Sequence, residues 1–275
     1  MKTTYDFVAI GDVVTDAFIR LKDANINCDI NREKCKLCVS FGDKVPYEFV
    51  EVIRAVGNSA NAAVAAARLG LSSALVANVG DDQNGSECLS TLEQNGVSLD
   101  FMTKHKDKET NYHYVLWYED DRTILVKHQE YAYRLPDIGT PKWLYLSSLA
   151  ENSLEYHKEI LAYLEKNPTV KLAFQPGTFQ MKLGIENLSG LYKRSALFFC
   201  NVEEAKRILW IIEEIPVEEL LKKVSVLGPE ITVITDGPRG AHVYDQSNVW
   251  FMPTYPDAKP PYERTGAGDA FASTF

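Results

Sequence analysis

The chain has 275 residues, 45% of them apolar and 24% charged, which suits a soluble globular protein of one or two domains and argues against disordered, collagenous or disulfide-scaffold classes. A chain near 300 residues buries roughly three quarters of its unfolded surface, so a sizeable core is available. With 29 Lys+Arg against 38 Asp+Glu the formal net charge is −9, and no basic tract offers phosphate neutralisation to a nucleic acid. The apolar run Phe7 to Ile10 is too short for a signal-peptide core, and no stretch is long enough to span a membrane. The default expectation is therefore cytoplasmic.

In chain order, Tyr5 to Ile10 reads as a buried strand stopping at the turn Gly11-Asp12. Residues 17–52 are polar and read as a loop with one or two exposed strands. They hold Cys28, Cys35 and Cys38, of five cysteines in all. An odd count in a cytosolic-looking chain argues against a disulfide framework. No fourth Cys or His lies nearby to complete structural zinc, so free thiols on a loop are expected, with metal as the alternative. The alanine-rich stretch Asn58 to Leu69 predicts a helix closed by Gly70.

Ala74 to Val79 predicts a second buried strand ending at Gly80-Asp81-Asp82, and Gly85 to Asn95 a helix. Tyr112 to Tyr118 and Thr123 to Lys127 are strand-like, joined by a turn over Glu119 to Arg122. Strands follow at Trp143 to Leu146, Val170 to Phe174, Ala196 to Cys200 and Ile231 to Thr235. Helices are expected at Leu154 to Glu165, Val202 to Ile212 and Val217 to Val226. The alternation predicts an α/β fold with a mostly parallel sheet. Two polar-faced insertions, about 17–52 and 111–135, suit a small β lid.

In such a sheet ligands bind beyond the carboxyl ends of the strands. The segments found there are Gly11-Asp12 with Asp16, Asn201-Val202-Glu203-Glu204, and Asp236-Gly237 leading to Gly240. The helix start Gly57-Asn58-Ser59-Ala60-Asn61 joins them, as does Thr265-Gly266-Ala267-Gly268-Asp269. In the last, small residues let a ligand approach the backbone, their N–H groups can cradle an anion, and an aspartate is at hand to take a proton from a hydroxyl. That combination serves phosphoryl transfer. Each segment also has a structural reading. Asp269, Asn58, Asn61 and Asn201 are good helix caps, Asp12 and Asp16 suit solvated turns, and 235–240 suits a hairpin turn. No G-x-x-x-x-G-K-[ST], G-x-G-x-x-G after the first strand, G-x-S-x-G or H-E-x-x-H occurs, and the five histidines are scattered.

Gly266-Ala267-Gly268-Asp269 resembles the C-terminal signature of the PfkB, or ribokinase-like, sugar and nucleoside kinases. Gly57 to Asn61, Ala63 to Gly70 and Val79-Gly80-Asp81-Asp82 resemble the N-terminal signature. Asn201 to Glu204 is similar to the family's N-x-x-E motif, and Thr235-Asp236-Gly237-x-x-Gly240 to its nucleotide-side turn. The resemblance covers nearly the whole chain. It implies one three-layer α/β/α domain over 1–275 with an inserted lid, and an ATP-dependent, magnesium-assisted kinase acting on a sugar or nucleoside hydroxyl.

Residue by residue, it implies Asp269 as base and Gly266, Ala267 and Gly268 as the anion hole. Asp12, Asp16, Gly57, Asn58 and Asn61 would line the acceptor pocket. Asn201, Thr235, Asp236, Gly237 and Gly240 would meet the nucleotide, and Glu204, with Asn201, magnesium through water. Aromatics Phe41, Tyr47, Tyr112, Tyr114 and Trp117 would either stack on a nucleoside base or pack within the lid. Pairing of lid strands between subunits gives a homodimer as an expectation.

Three departures stand out. Glu263 and Arg264 replace an Asp-Thr pair, which puts a monovalent cation in question. Gln175-Pro176-Gly177-Thr178 stands where many members have an Asp-x-Asn-x-Arg segment. The chain stops at Phe275, where family members continue, so it reads as a fragment or a short form. The rival reading is a sugar- or nucleotide-binding protein without catalysis.

Overall fold

The computed structural model describes residues 4–28, 35–119, 121–256, 258–259 and 265–275. In chain order the strands are β1 (Phe7–Ile10), β2 (Val14–Leu21), β3 (Asn25–Asn27), β4 (Lys36–Cys38), β5 (Tyr47–Val56), β6 (Ser73–Gly80), β7 (Val97–Ser98), β8 (Met102–His105), β9 (Tyr112–Tyr118), β10 (Asp121–Leu125), β11 (Trp143–Leu146), β12 (Lys171–Phe174), β13 (Ser195–Asn201), β14 (Ile231–Thr235), β15 (Ala241–Tyr244) and β16 (Val249–Met252). The helices are α1 (Asn58–Arg68), α2 (Gln83–Gln94), α3 (Leu154–Lys166), α4 (Thr178–Arg194), α5 (Val202–Leu209), α6 (Val217–Ser225) and α7 (Ala267–Thr274).

The main sheet runs β16-β15-β14-β13-β12-β11-β1-β6-β7, with β8 also paired to β6. Its centre is parallel; β15 and β16 return antiparallel at one edge. Alternating strand residues feed two cores, as period-two side chains must. Val8, Ile10, Leu144, Leu146, Leu172 and Phe174 pack with α3 to α6. Ala9, Leu75, Ala77, Tyr145 and Ala173 pack with α1, α2 and α7. The result is a three-layer α/β/α sandwich. Alanines at 60, 62 and 63 bring α1 close against the sheet, all fully buried.

A second sheet, β10-β9-β2-β5, is built from the two insertions. Asp16 lies in register with His113, and Arg122 with Trp117. The hairpin between β9 and β10 is tighter than the expected Glu119-to-Arg122 turn: Asp121 already pairs with Tyr118, which moves Arg122 from turn to strand. Several elements lay outside the sequence reading: the short β7 was not expected, and 17–52, read as a loop with one or two exposed strands, holds β3, β4, β5 and most of the largely buried β2. Helix α4 begins at the expected turn after Phe174, and its Gly184 interrupts the helix with φ +82°. Strands β15, β16 and the short β8 were also not expected. Helix α5 ends earlier than expected, because Trp210 adopts the left-handed conformation that stops it.

Free thiols were expected at all three loop cysteines. Instead, Cys28 and Cys35 form a disulfide, and only Cys38 of the three is free, exposed on β4. Cys28 directly follows β3 and Cys35 directly precedes β4, and the pairing of Asn27 with Lys36 brings the two backbones together. Among the described residues no group of three or more Cys, His, Asp or Glu is arranged to hold a metal ion.

Candidate active site

A cavity of about 820 Å³ opens between the carboxyl ends of the parallel strands and the inner face of the second sheet. Of the sequence-predicted residues it gathers Asp12, Asp16, Gly57, Asn58, Asn61, Asn201, Glu204, Thr235, Gly266, Gly268 and Asp269, which lie as far as 257 positions apart between Asp12 and Asp269. Ala267, Asp236, Gly237 and Gly240 do not line it among the described residues. Asp236 instead forms a two-pronged ion pair with Arg239 (2.6 and 2.8 Å), and Gly240 carries φ +101° in the turn joining β14 to β15. The hairpin reading of 235–240 thus holds for its geometry. Glu263 and Arg264 lie outside the described residues.

Asp269 stands in the first turn of α7, whose N-cap Gly266 takes φ +77°, a conformation that favours glycine. Asn61 on α1 donates to Asp269 Oδ2 at 2.9 Å, and Gln175 Nε2 reaches Oδ1 at 3.4 Å. The Gln175 amide is oriented by Tyr145, whose hydroxyl donates to Gln175 Oε1. Burial pushes the Asp269 carboxyl above the usual carboxylate range, while Asn61, Gln175 and the charge of Arg122 pull against that rise. Tyr145's own burial, with the Asp269 charge beside it, holds that phenol well above its usual range, so the hydroxyl stays a donor.

At the other wall, Asp12 accepts from Tyr133 Oη (2.8 and 3.0 Å) and sits 3.2 Å from His128 Nδ1. Asp16 lies 3.3 Å from His113 Nδ1, the pair being neighbours across β2 and β9. Asp16 Oδ1 and His113 Nε2 are buried and make no protein hydrogen bond. Gly57 has φ +111°, and a Cβ there would lie 2.8 Å from the Asp12 carbonyl oxygen. That glycine lets the end of β5 pass the Asp12 backbone as it turns into α1.

Asn201 caps α5: its Oδ1 accepts from Glu204 N (2.8 Å), and Glu204 Oε2 accepts from Asn201 N (2.9 Å). Burial raises the Glu204 carboxyl, and the nearby Asp269 charge adds to the rise. The capping reading and a cavity-facing role coexist in these two residues.

His113, His128 and Tyr133 are functional candidates that sequence reasoning did not single out, and Gln175 was noted only as part of the departing 175–178 segment. The histidines looked scattered; the available signal was the inward phase of His113 on its strand, with Val115 and Trp117. None of Phe41, Tyr47, Tyr112, Tyr114 or Trp117 lines the cavity.

The pfkB family model, described as pfkB family carbohydrate kinase, matches residues 21–275, and the chain belongs to this family. It is a phosphotransferase with an alcohol group as acceptor. Curated relatives include a ribokinase of Bacillus subtilis, 27% identical over 242 residues covering 80% of this chain and 72% of the relative. A ribokinase of Mus musculus is 26% identical over 232 residues, covering 78% and 68%. Among solved structures, an Arabidopsis thaliana ribokinase complexed with ribose and ATP superposes with a TM-score of 0.75 at 17% identity, covering 98% of this chain and 84% of that one. A Giardia lamblia ribokinase gives 0.78 at 18%, covering 98% and 81%. No helix among the described residues is long and apolar enough to cross a membrane.

Proposed function

We propose that this protein transfers the γ-phosphate of ATP to a hydroxyl of a sugar. The observation that carries the proposal is the Asp269 carboxylate: half-buried, raised by that burial, and aimed by Asn61 and Gln175 inside a cavity that also holds Asp12 and Asp16. A carboxylate lifted toward neutral pH is a better proton acceptor while the two amides keep it ionised. In the proposed reaction the acceptor hydroxyl loses its proton to Asp269 as its oxygen bonds to the γ-phosphorus. The bond from that phosphorus to the β,γ-bridging oxygen breaks, leaving ADP. The N–H groups at Gly266 to Gly268 face the phosphoryl oxygens.

Asp12, Asp16, Asn58 and Asn61 bind the acceptor, with Gly57 giving the backbone room. Asp16 Oδ1, which faces His113 Nδ1 at 3.3 Å without a hydrogen bond, and the unbonded His113 Nε2 suit a ligand rich in hydroxyls, which both donate and accept. Asn201 and Thr235, with the turn of Asp236, Gly237 and Gly240, serve the nucleotide. The donor set fits Mg2+: Glu204 is a hard oxygen ligand whose raised carboxyl beside Asp269 favours a cation, and Mg2+ commonly binds through one carboxylate, waters and substrate phosphates. Glu204 and, through water, Asn201 would hold it, and when bound it would neutralise phosphate charge. The second sheet acts as the lid of a single 1–275 domain, excluding water from the transfer.

A sugar is favoured over a nucleoside because the acceptor wall is lined by hydroxyl-binding Asp12, Asp16, Asn58 and Asn61, while the lid aromatics expected to stack on a base lie off the cavity, although Phe18, Phe199 and Phe271 line it. The test is incubation with ATP, Mg2+ and a panel of sugars and nucleosides, with product read by mass. A phosphorylated sugar is expected. Phosphorylated nucleoside alone would overturn the acceptor assignment. Binding without product would favour a non-catalytic binding protein.

A further inference from the structure

The Asp12 carboxylate lies on the acceptor wall but has little surface with which to touch a ligand. Its side chain is 3% exposed and both of its oxygens are taken. Tyr133 Oη donates to it, 2.8 Å from Oδ1 and 3.0 Å from Oδ2, and His128 Nδ1 lies 3.2 Å from Oδ2. Tyr133 is fixed in turn: its hydroxyl accepts from Ala150 N (3.1 Å), and its ring stacks on Tyr156 of α3 at 5.3 Å. Burial, and then the Asp12 charge, hold that phenol far above its usual range, so its one proton goes to the carboxylate. Asp16, by contrast, keeps Oδ1 without a hydrogen bond.

The imidazole of His128 is held from several sides. Its ring lies at right angles to Phe179 of α4 (5.6 Å) and 5.1 Å from the ring of His113. The backbone beyond it is tied down, since Gln129 N donates to Asn111 Oδ1 and Tyr131 Oη to Glu109 O, both at 2.7 Å. A side chain supported in this way presents its remaining atom in one direction. A carboxylate only accepts, so the neutral ring carries its proton on Nδ1, the opposite of the tautomer that free histidine favours. Nε2 is then a bare acceptor, on the ring that lines the cavity and is 16% exposed where Asp12 is covered.

We propose that His128 reads a hydroxyl of the acceptor through Nε2, with Asp12 and Tyr133 as positioning residues that set its tautomer and aim, a role that rests on the sugar-kinase reading above. Asp12 binds the acceptor through this imidazole rather than with its own oxygens. Nε2 requires a hydrogen from the ligand, so the ligand atom facing it must donate. A hydroxyl does so. A keto oxygen, an ether or a fluorine at that position sets lone pair against lone pair.

The tautomer is read on the full chain with isotope-labelled histidine, by long-range proton–nitrogen correlation spectra at neutral pH, the His128 signal being assigned by its loss in H128N. Wild type is expected to show Nδ1 protonated and Nε2 bare, and D-ribose is expected to shift Nε2. In D12N, Tyr133 keeps the amide oxygen on its own side, so the amide N–H faces Nδ1 and the proton moves to Nε2. A proton on Nε2 in wild type overturns the proposal, as does an Nε2 signal unmoved by D-ribose with and without ADP. This readout needs no turnover. A D-ribose shift at Nε2 without phosphorylated product would remove the kinase reading and leave the hydroxyl reading standing.

The direction of the bond is tested by kcat/KM for D-ribose, 2-deoxy-2-fluoro-D-ribose and 3-deoxy-3-fluoro-D-ribose in wild type, H128N and D12N, alongside thermal melting. H128N keeps an N–H for Asp12 and deletes the nitrogen that faces the cavity. Wild type is expected to lose about tenfold with one of the fluoro sugars, mostly in KM, the cost of one unpaired acceptor. H128N is expected to lose about tenfold with D-ribose, again mostly in KM, and little more with that fluoro sugar, because the two changes remove the same bond. Equal kcat/KM for all three sugars in wild type overturns the proposal, and so does an equal fluoro-sugar loss in wild type and H128N. If H128N fails to fold, D12N carries the kinetic test: its fluoro-sugar loss is expected to shrink to under about threefold, because Nε2 then donates, and an undiminished loss refutes the positioning role.

Discussion

Replacing Asn61 with Ala removes the 2.9 Å hydrogen bond to Asp269 Oδ2 and leaves the longer one from Gln175. A hydrogen bond to a charged group contributes about 1.5–3 kcal/mol net. Asp269 is half-buried, and water enters the space the amide leaves, so the lower end applies. About 1.5 kcal/mol, at about 1.36 kcal/mol per pH unit, raises the Asp269 carboxyl by about one unit. Because the base works ionised, the acid limb of kcat/KM moves to higher pH, and activity below the limb falls by about tenfold. The assay is a full pH profile of kcat/KM for the N61A and Q175A variants against wild type, which reports the free enzyme's essential groups. Q175A, which removes the weaker bond, is expected to move the limb less. Asn61 also lines the acceptor pocket, so the plateau itself can change; the position of the limb is the diagnostic quantity. A limb that stays in place, or moves to lower pH in N61A, refutes the claim that this amide holds the carboxylate ionised.

The D269N variant is expected to lose turnover by about 10² to 10⁴-fold, the range for a general base, while still binding ATP in a calorimetric titration. Its stability carries a sign that can be checked. Burial lifts the folded-state carboxyl above its unfolded value, so the contribution of Asp269 to stability is present below the unfolded pKa and is lost as pH rises through the folded one. D269N should therefore melt at or above wild type at neutral pH, with the advantage shrinking toward acid. Gly57→Ala forces a side chain into φ +111° against the Asp12 carbonyl, and should cost about 1–3 kcal/mol by denaturant titration and weaken acceptor binding. E204Q removes the one carboxylate offered to magnesium and should raise the Mg2+ concentration for half-maximal rate by about tenfold or more.

The site was legible where small residues or capping residues stand at strand ends. Gly57 and Gly266 mark backbone that must pass close or turn with positive φ, and Asn201 with Glu204 spells a capping box in one dimension. Residues that act across the fold left fainter marks. His113 and His128 become meaningful only when β2 and β9 pair and bring Asp16 beside His113. Arg122 read as part of a turn because it belongs to a run of four consecutive polar residues, although β10 already begins at Asp121, paired with Tyr118. Helix α4 was hidden by glycines: Gly184 breaks it, and Gly190 is there because Leu161 of α3 packs where a side chain would project. Strands β15 and β16 are an antiparallel return, a departure from the strand–helix rhythm on which the reading relied. The disulfide depends on which cysteine backbones meet, and spacing alone does not fix that.

The electrostatics of Asp269 follow from two demands that oppose each other. Burial makes the carboxylate a stronger base, yet enough burial would leave it protonated and unable to accept a proton. The fold answers with donors from separate elements: Asn61 from α1, Gln175 from the end of β12, and the charge of Arg122 from β10. Each lowers the carboxyl, and each comes from a different part of the chain. The helix that carries Asp269 packs beside α1, whose alanine face lets it approach the sheet and brings Asn61 within hydrogen-bond reach. Core packing and proton transfer are thus linked through one helix. A bulky substitution at Ala60 or Ala63, remote from the acceptor, would displace Asn61 and shift the same acid limb that N61A shifts. The order of causes runs from the small buried residues of α1, to the reach of one amide, to the ionisation of one carboxylate.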